Sequence, residues 1–411
     1  LDKELGLSLK QRLETLDSSG GYRPNQDGTQ SALSWVVAGS VLAKTPPELG
    51  RHHFLDPKTG AGLDDAPHLS GTLHALALSI DEGTTSRDLA TGQAFDLRGK
   101  PALEWLRSSE NDLGLPVFYE QLERSVTFSQ PADRETALVR ALLALGGVLC
   151  VVEDMGQPAF TRNDFRGEFL GNGMGSAFEG FVRRKFGRAA LPRPLKPIVR
   201  PTLQSYFIAK DGKGLAQISN EGFFSAGTLP NEVPVWNGRP LTSIIAAIHG
   251  SLRFASPTIA ELNLSVGQRG AYLLREGRRM LGYRQVERTL QFFLDEAIYL
   301  DSAQFLLPLV EAYAAGIINH LLRGSLEITA DAGKIQIKPA GIDAAKGLKG
   351  RLVVLAEAED GKRSMISETN QESIRITEAT IPVGARKIAA VWVGEDQAGQ
   401  LIALGEMTLP R

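Results

Sequence analysis

Residues 133–155 leave this chain least choice of structure. Ala, Leu and Val recur there at helical spacing, Asp133 stands where an N-cap is expected, and Gly156 and Pro158 forbid continuation. The spacing therefore predicts a helix over 133–155 that ends just past Asp154 and leaves Phe160 in the following loop. A helix this apolar needs neighbours on most of its surface, which places it in the core of a multi-helix body. Arg140 interrupts it, and Glu311, Asn319 and His320 interrupt the apolar run 305–322. Neither reads as a transmembrane segment, which needs about 20 mostly apolar residues.

Other stretches carry the same period: 9–16, 32–41, 68–78, 101–106, 241–248, 276–298 and 302–322. The stretch 191–201 holds four prolines, cannot be regular helix, and is expected to connect two parts of one helical domain. Near residue 324 the period turns from helical to alternating. Short strands are predicted at 326–329, 334–338, 351–357, 373–377, 387–393 and 400–404, with turns at 359–361 and 395–399. The expected fold class is mainly α: a helical domain over 1–324, then a small C-terminal antiparallel β-sandwich over 325–411, an immunoglobulin-like arrangement being one form of it.

Composition narrows the partners. With 411 residues, two or three domains are expected. A hydrophobic fraction of 43% with 22% charged residues argues against extended disorder. The net charge of −2 gives no reason to expect a nucleic-acid partner, since phosphate-tracking proteins show a basic stripe. The locally basic stretch 183–200 reads as a helix end and linker in solvent. Cys150 is the single cysteine, so no intramolecular disulfide forms, and this alone does not fix the compartment.

Several blocks, in order, carry a resemblance. Trp35 to Lys44 is followed by Arg51-His52-His53-Phe54-Leu55-Asp56-Pro57. Then come Leu145-Gly146-Gly147 through Cys150, Asp154 and Pro158 to Asn163-Asp164, and finally Gly173 to Val182. They resemble the zinc-dependent phospholipase C family, whose fold is shared with single-strand-specific zinc nucleases. The stretches 214–228 and 306–324 resemble segments of large bacterial extracytoplasmic members. The resemblance covers roughly residues 1–324 in scattered blocks, and its specificity lies in their order and spacing.

In that family the central helix reads His-x3-Asp-x5-His, which here gives Cys150, Asp154 and Phe160. The ligand histidine upstream is His53, the acidic pair before it is Ala43 and Lys44, and the His-x3-Glu segment gives Gly175 and Glu179. The resemblance thus implies four remnant metal positions, His53, Cys150, Asp154 and Glu179. The family's N-terminal ligands have no counterpart within this sequence, in which no histidine precedes His52; either the helix that bears them lies outside it or that helix was lost. An export signal is expected to lie outside this sequence, the protein being extracytoplasmic or secreted.

Two readings follow. Cysteine thiolate binds zinc at about 2.3 Å, so His53, Cys150 and Asp154 plus water would make a one-zinc phosphodiester hydrolase, zinc activating the water. Alternatively, Cys150 is a small hydrophobe of the core, Asp154 and His53 make ordinary hydrogen bonds, and Glu179 pairs with Arg183 one helical turn on. The second reading is favoured, because several ligand positions changed together and a lysine ammonium repels a cation. It implies no cofactor and a non-catalytic role, either binding a protein, lipid or cell-surface partner or serving as a component of a surface assembly that docks through the β-sandwich. His52, His68, His74, His249 and His320 lack ligand-like spacing.

Overall fold

The computed structural model describes residues 31–45, 47–63, 98–164, 176–186, 195–229, 233–234, 258–264, 269–287, 289–331, 333–340, 349–371 and 377–410. The expected helices at 9–16, 68–78 and 241–248 lie outside them, as do His68, His74, His249 and most of the strand expected at 373–377.

The central helix α4, Pro131–Asp154, runs through the core of the helical part. Its N-cap is Gln130, with Pro131 opening the helix, so Asp133 sits in the first turn rather than at the cap. Proline is favoured there because its missing N–H would be unpaired anyway. Around it lie α1 (Ala32–Leu42), α2 (Ala102–Arg107), α3 (Leu115–Thr127) and the short α5 (Pro158–Thr161). Then follow α6 (Ala177–Phe186), α7 (Leu203–Phe207), α8 (Leu215–Gly222) and α9 (Glu296–Leu321).

Among the described residues α4 alone is long and apolar enough to cross a membrane, a test that Arg140 does not prevent it from passing. However, 67% of its apolar window is buried inside the protein, which is the behaviour of a core helix.

Two glycines set how closely α1 lies on α4. A Cβ on Gly39 would stand 2.0 Å from the Leu143 carbonyl oxygen, and one on Gly146 would stand 2.0 Å from that of Val36. Any larger residue would push the helices apart. This contact carries Lys44, just past the end of α1, towards the last turn of α4.

The expectation of a mainly α chain is overturned by two sheets. One has the order β1-β5-β4-β3-β2, from Val233–Pro234 (β1), Thr258–Asn263 (β2), Arg269–Arg275 (β3), Arg278–Val286 (β4) and Thr289–Phe293 (β5). It occupies most of the helix expected at 276–298. Glu276 and Gly277, both at positive φ, turn the chain there, and Leu273, Leu281, Tyr283 and Leu290 form a core of their own. The helical period was misleading because apolar residues also recur on β4 at strand spacing, and a short apolar run fits both templates. Helix begins only at Glu296, capped by the Asp295 carboxylate, which accepts the Ile298 N–H at 3.0 Å.

The second sheet is seven-stranded, β10-β7-β6-β12-β11-β8-β9. It comprises Gly324–Asp331 (β6), Lys334–Ala340 (β7), Lys349–Glu357 (β8), Arg363–Gln371 (β9), Thr377–Thr380 (β10), Lys387–Asp396 (β11) and Gly399–Thr408 (β12). It is one nearly closed sheet rather than a two-sheet sandwich, and β12 pairs with β6 in parallel. Alternation assigns its faces. Leu352, Val354, Ile388, Ala390, Trp392 and Leu401 pack with Ile328 and Ile335 inside the curl. Val353, Leu355, Ala389, Val391 and Ile402 join the core built around α3 and α4. Both faces of β8 and β11 are therefore buried.

Candidate functional site

The end of α4 meets the loop after α1 and the turn Pro47–His53. Asp154 is buried and its carboxylate is shared: His53 Nδ1 lies 2.6 Å from Oδ2, and Lys44 Nζ and the Gln157 amide donate to Oδ1 at 2.9 and 3.1 Å. Lys44 Nζ also stands 4.3 Å from the centre of the Phe160 ring. An ammonium over an aromatic face is attracted by the ring quadrupole. Phe160 is itself fully buried against Phe54.

His53 is 0% exposed. Burial, opposed by its hydrogen bond to Asp154, lowers its pKa from the ordinary value, so the imidazole is neutral and donates Nδ1–H to the carboxylate. Its Nε2 is left without a hydrogen-bond partner. The cavity that His53 borders measures about 10 Å³, room for one water at most.

The described structure brings together three of the four expected positions. Ligand atoms of His53, Cys150 and Asp154 all lie within 4.8 Å of one another, a group that could bind a metal. Their arrangement fits one ion poorly. Two ligands at about 2.0–2.1 Å from a tetrahedral zinc stand about 3.3 Å apart, well beyond the 2.6 Å between His53 and Asp154. Cys150 packs with Leu42, Leu113 and Leu143, and burial, with the Asp154 charge, raises its thiol pKa well above the ordinary value. With no metal cation beside it, the thiol stays protonated and is a poor nucleophile. The Lys44 ammonium meanwhile supplies the positive charge that Asp154 needs.

Glu179 is not in that group. It lies in α6 on the wall of an adjoining cavity, and its pairing with Arg183 is loose at 3.8 Å. Burial raises its pKa, with Lys44 and Asp154 acting on it in opposite senses. Two residues that sequence reasoning did not single out share that cavity wall. Glu153 is exposed on the cavity wall, and desolvation by the surrounding protein, with the Asp154 charge, pushes its pKa up to about 7. Gln157 donates to Asp154 on one side and leaves Oε1 unpaired. Only the helix break at Gly156–Pro158 marks these positions in the sequence.

The residues of the matching blocks that are not metal positions hold the scaffold. Asp164 accepts the Gly227 N–H at 2.7 Å, Asn220 donates to the Thr161 carbonyl, and Arg162 donates to the Phe223 and Asn220 carbonyls at 2.6 and 2.7 Å. Leu55 N–H meets the Phe160 carbonyl at 3.0 Å, and Asn163 donates to the carbonyls of Ala61 and Gly62. His52 stacks on Trp105 with ring centres 4.0 Å apart, while His320 packs edge-on against Tyr206. Burial lowers both pKa values to about 4.

No known family's sequence profile matches the chain, and no curated protein matches it. Among solved structures it is similar to the alpha toxin from Clostridium absonum, at 11% identity and a TM-score of 0.30, covering 100% of this chain and 90% of that one. The alpha-toxin of Clostridium perfringens, from the avian strain SWCP, is similar at 9% identity and a TM-score of 0.19, with coverages of 95% and 100%. Scores this low assign neither a fold nor an activity.

Proposed function

We propose that this protein is a non-catalytic relative of zinc-dependent phospholipase C that acts outside the cytoplasm by binding a protein, lipid or cell-surface partner. The observation that carries the reading is Lys44 Nζ at 2.9 Å from the Asp154 carboxylate, beside Phe160. A tethered ammonium and an aromatic ring fill the space that a cation and its histidine would need. Charge balance is met within the chain, so the carboxylate gains little from an ion. The scaffold bonds of Asp164, Asn220 and Arg162 explain why the matching blocks persist around a site with so few ligands.

Metal analysis of the purified protein, with hydrolysis of a phosphodiester such as p-nitrophenylphosphorylcholine, tests the reading. Substoichiometric zinc and no turnover are expected. Stoichiometric zinc together with turnover that His53→Ala abolishes would overturn it.

One observation favours a second reading, a one-zinc phosphodiester hydrolase using His53, Cys150 and Asp154: the buried Nε2 of His53 has no partner, and the three side chains are neighbours. That enzyme would lose zinc affinity in Cys150→Ser and melt at lower temperature with a chelator, since metal bound only by the folded state stabilises it. A melting temperature unmoved by chelator excludes it.

A further inference from the structure

A cavity of about 580 Å³ lies between α4, α6 and α9. That is the size of a site for one small ligand. Leu149, Phe178, Val182, Leu306, Val310 and Ile318 make most of its wall. The charged groups on the wall are all carboxylates, Glu153, Glu179 and Glu311, with no lysine or arginine among its described lining residues.

Two acceptors on its lining residues lack donors: Glu179 Oε2 and Gln157 Oε1 have no hydrogen-bond partner. An unpaired acceptor removed from water costs free energy that a ligand's N–H recovers. The partner of Glu179, Arg183, is more than half exposed and 3.8 Å away, so a small turn of the Glu179 side chain brings its carboxylate to the cavity without breaking a close ion pair. The apolar wall takes hydrocarbon, and the acceptors take a positively charged donor.

We infer that this cavity binds a single-chain amphiphile with a primary ammonium head, the chain lying against Leu306, Val310 and Ile318 and the ammonium donating to Glu179 and Gln157. This goes beyond the proposed non-catalytic role, on which it rests for the site being used for binding, by naming the class of ligand. A phosphate or carboxylate head is disfavoured, because the carboxylates repel it. A quaternary ammonium has no N–H for the two unpaired oxygens.

Calorimetric titration of the full chain with decylamine, decanoate, decyltrimethylammonium and butylamine tests the inference. Decylamine is expected to bind at least tenfold more tightly than each of the others. Glu179→Gln is expected to weaken decylamine at least tenfold, with an unchanged circular dichroism spectrum, and Ala315→Trp, which fills the cavity, to abolish binding. Equal affinity for decanoate or decyltrimethylammonium, no detectable decylamine binding by folded protein, or an unaltered affinity in Glu179→Gln would overturn it. If Ala315→Trp does not fold, the Glu179→Gln titration decides alone. Zinc-dependent turnover would refute the non-catalytic reading while leaving these affinities to be judged separately.

Discussion

Among the described residues, the buried charges at the helix–sheet junction and at the end of α4 are finished differently. At the junction between the helices and the seven-stranded sheet, Arg363 donates to Glu357 at 2.9 Å and to the Val126 carbonyl at 2.8 Å, and it also pairs with Glu406. Arg134 donates to the carbonyls of Ser129 and Gly361, both at 2.8 Å, while Ser129 Oγ donates to the Arg363 carbonyl at 2.8 Å. At the end of α4, by contrast, Lys44, Asp154 and His53 balance in charge but leave His53 Nε2 and Gln157 Oε1 unpaired. A network whose polar groups are paired fixes a junction; one with orphans leaves buried polar atoms that a water or a ligand can still satisfy.

The contrast breaks first at the junction. Arg363→Ala takes from Glu357 its closest partner, leaving the longer contacts of Arg134 at 3.4 Å and Lys387 at 3.5 Å, and removes the donor to the Val126 carbonyl, so a loss of about 3–5 kcal/mol in unfolding free energy is expected from denaturant titration. Arg363 is buried, so solvent does not relieve the loss. A loss below about 1 kcal/mol would show that the junction is not held by this network.

Asp154→Ala should cost slightly less, about 3 kcal/mol, because Lys44 retains some contact with water when its anion is removed. If this variant instead gained stability, the cluster would be a liability retained for function, and the comparison would reverse.

Acid comes next. His52 and His320 titrate near 4 in the folded chain, and His53 is also lowered, whereas unfolded histidine titrates near 6.5. The unfolded chain therefore binds more protons between those values, and the histidine contribution to stability, full above pH 6.5, is lost as the pH falls towards 4. Glu153 opposes this over part of the range, since its pKa is raised to about 7 and favours the folded state in acid. Melting temperature should fall from pH 6.5 to 4 and fall less in His320→Gln; an identical acid slope in that variant would remove His320 from the account.

Smallest is the pair on α6. Arg183→Ala should change stability by no more than about 0.5 kcal/mol, because the side chain is more than half exposed and the ion pair is long. A larger loss would make Glu179 a structural residue and sharpen the contrast with its role as an unsatisfied acceptor.

Legibility followed the kind of information each element needs. α1, α4 and most of α9 were readable because apolar spacing and Gly or Pro breaks are local signals. β6, β7, β8, β11 and β12 were readable for the same reason, with Gly361 and Gly399 at positive φ in the predicted turns. β9 was missed: Arg363–Gln371 is mostly polar, and it is a strand because Leu352–Glu357 offers it an edge. β4 and β5 were read as helix because a short apolar run does not declare its period until its partners are known.

At the site, the sequence singled out His53, Cys150 and Asp154, with Lys44 as an ammonium that would repel a cation. It did not place the ammonium on Asp154, nor Glu153 and Gln157 on the cavity wall. Those contacts join residues up to 110 apart in the chain.

By itself the sequence determined the central helix and where it stops and the alternating strands after residue 324, because each is written in neighbouring residues. Only the tertiary structure decided that a lysine from the end of one helix neutralises the aspartate at the end of another, that the C-terminal strands close into one sheet, and that a cavity opens beside Glu179. Those outcomes depend on burial and on long-range pairing, which appear only once distant segments exclude water from one another.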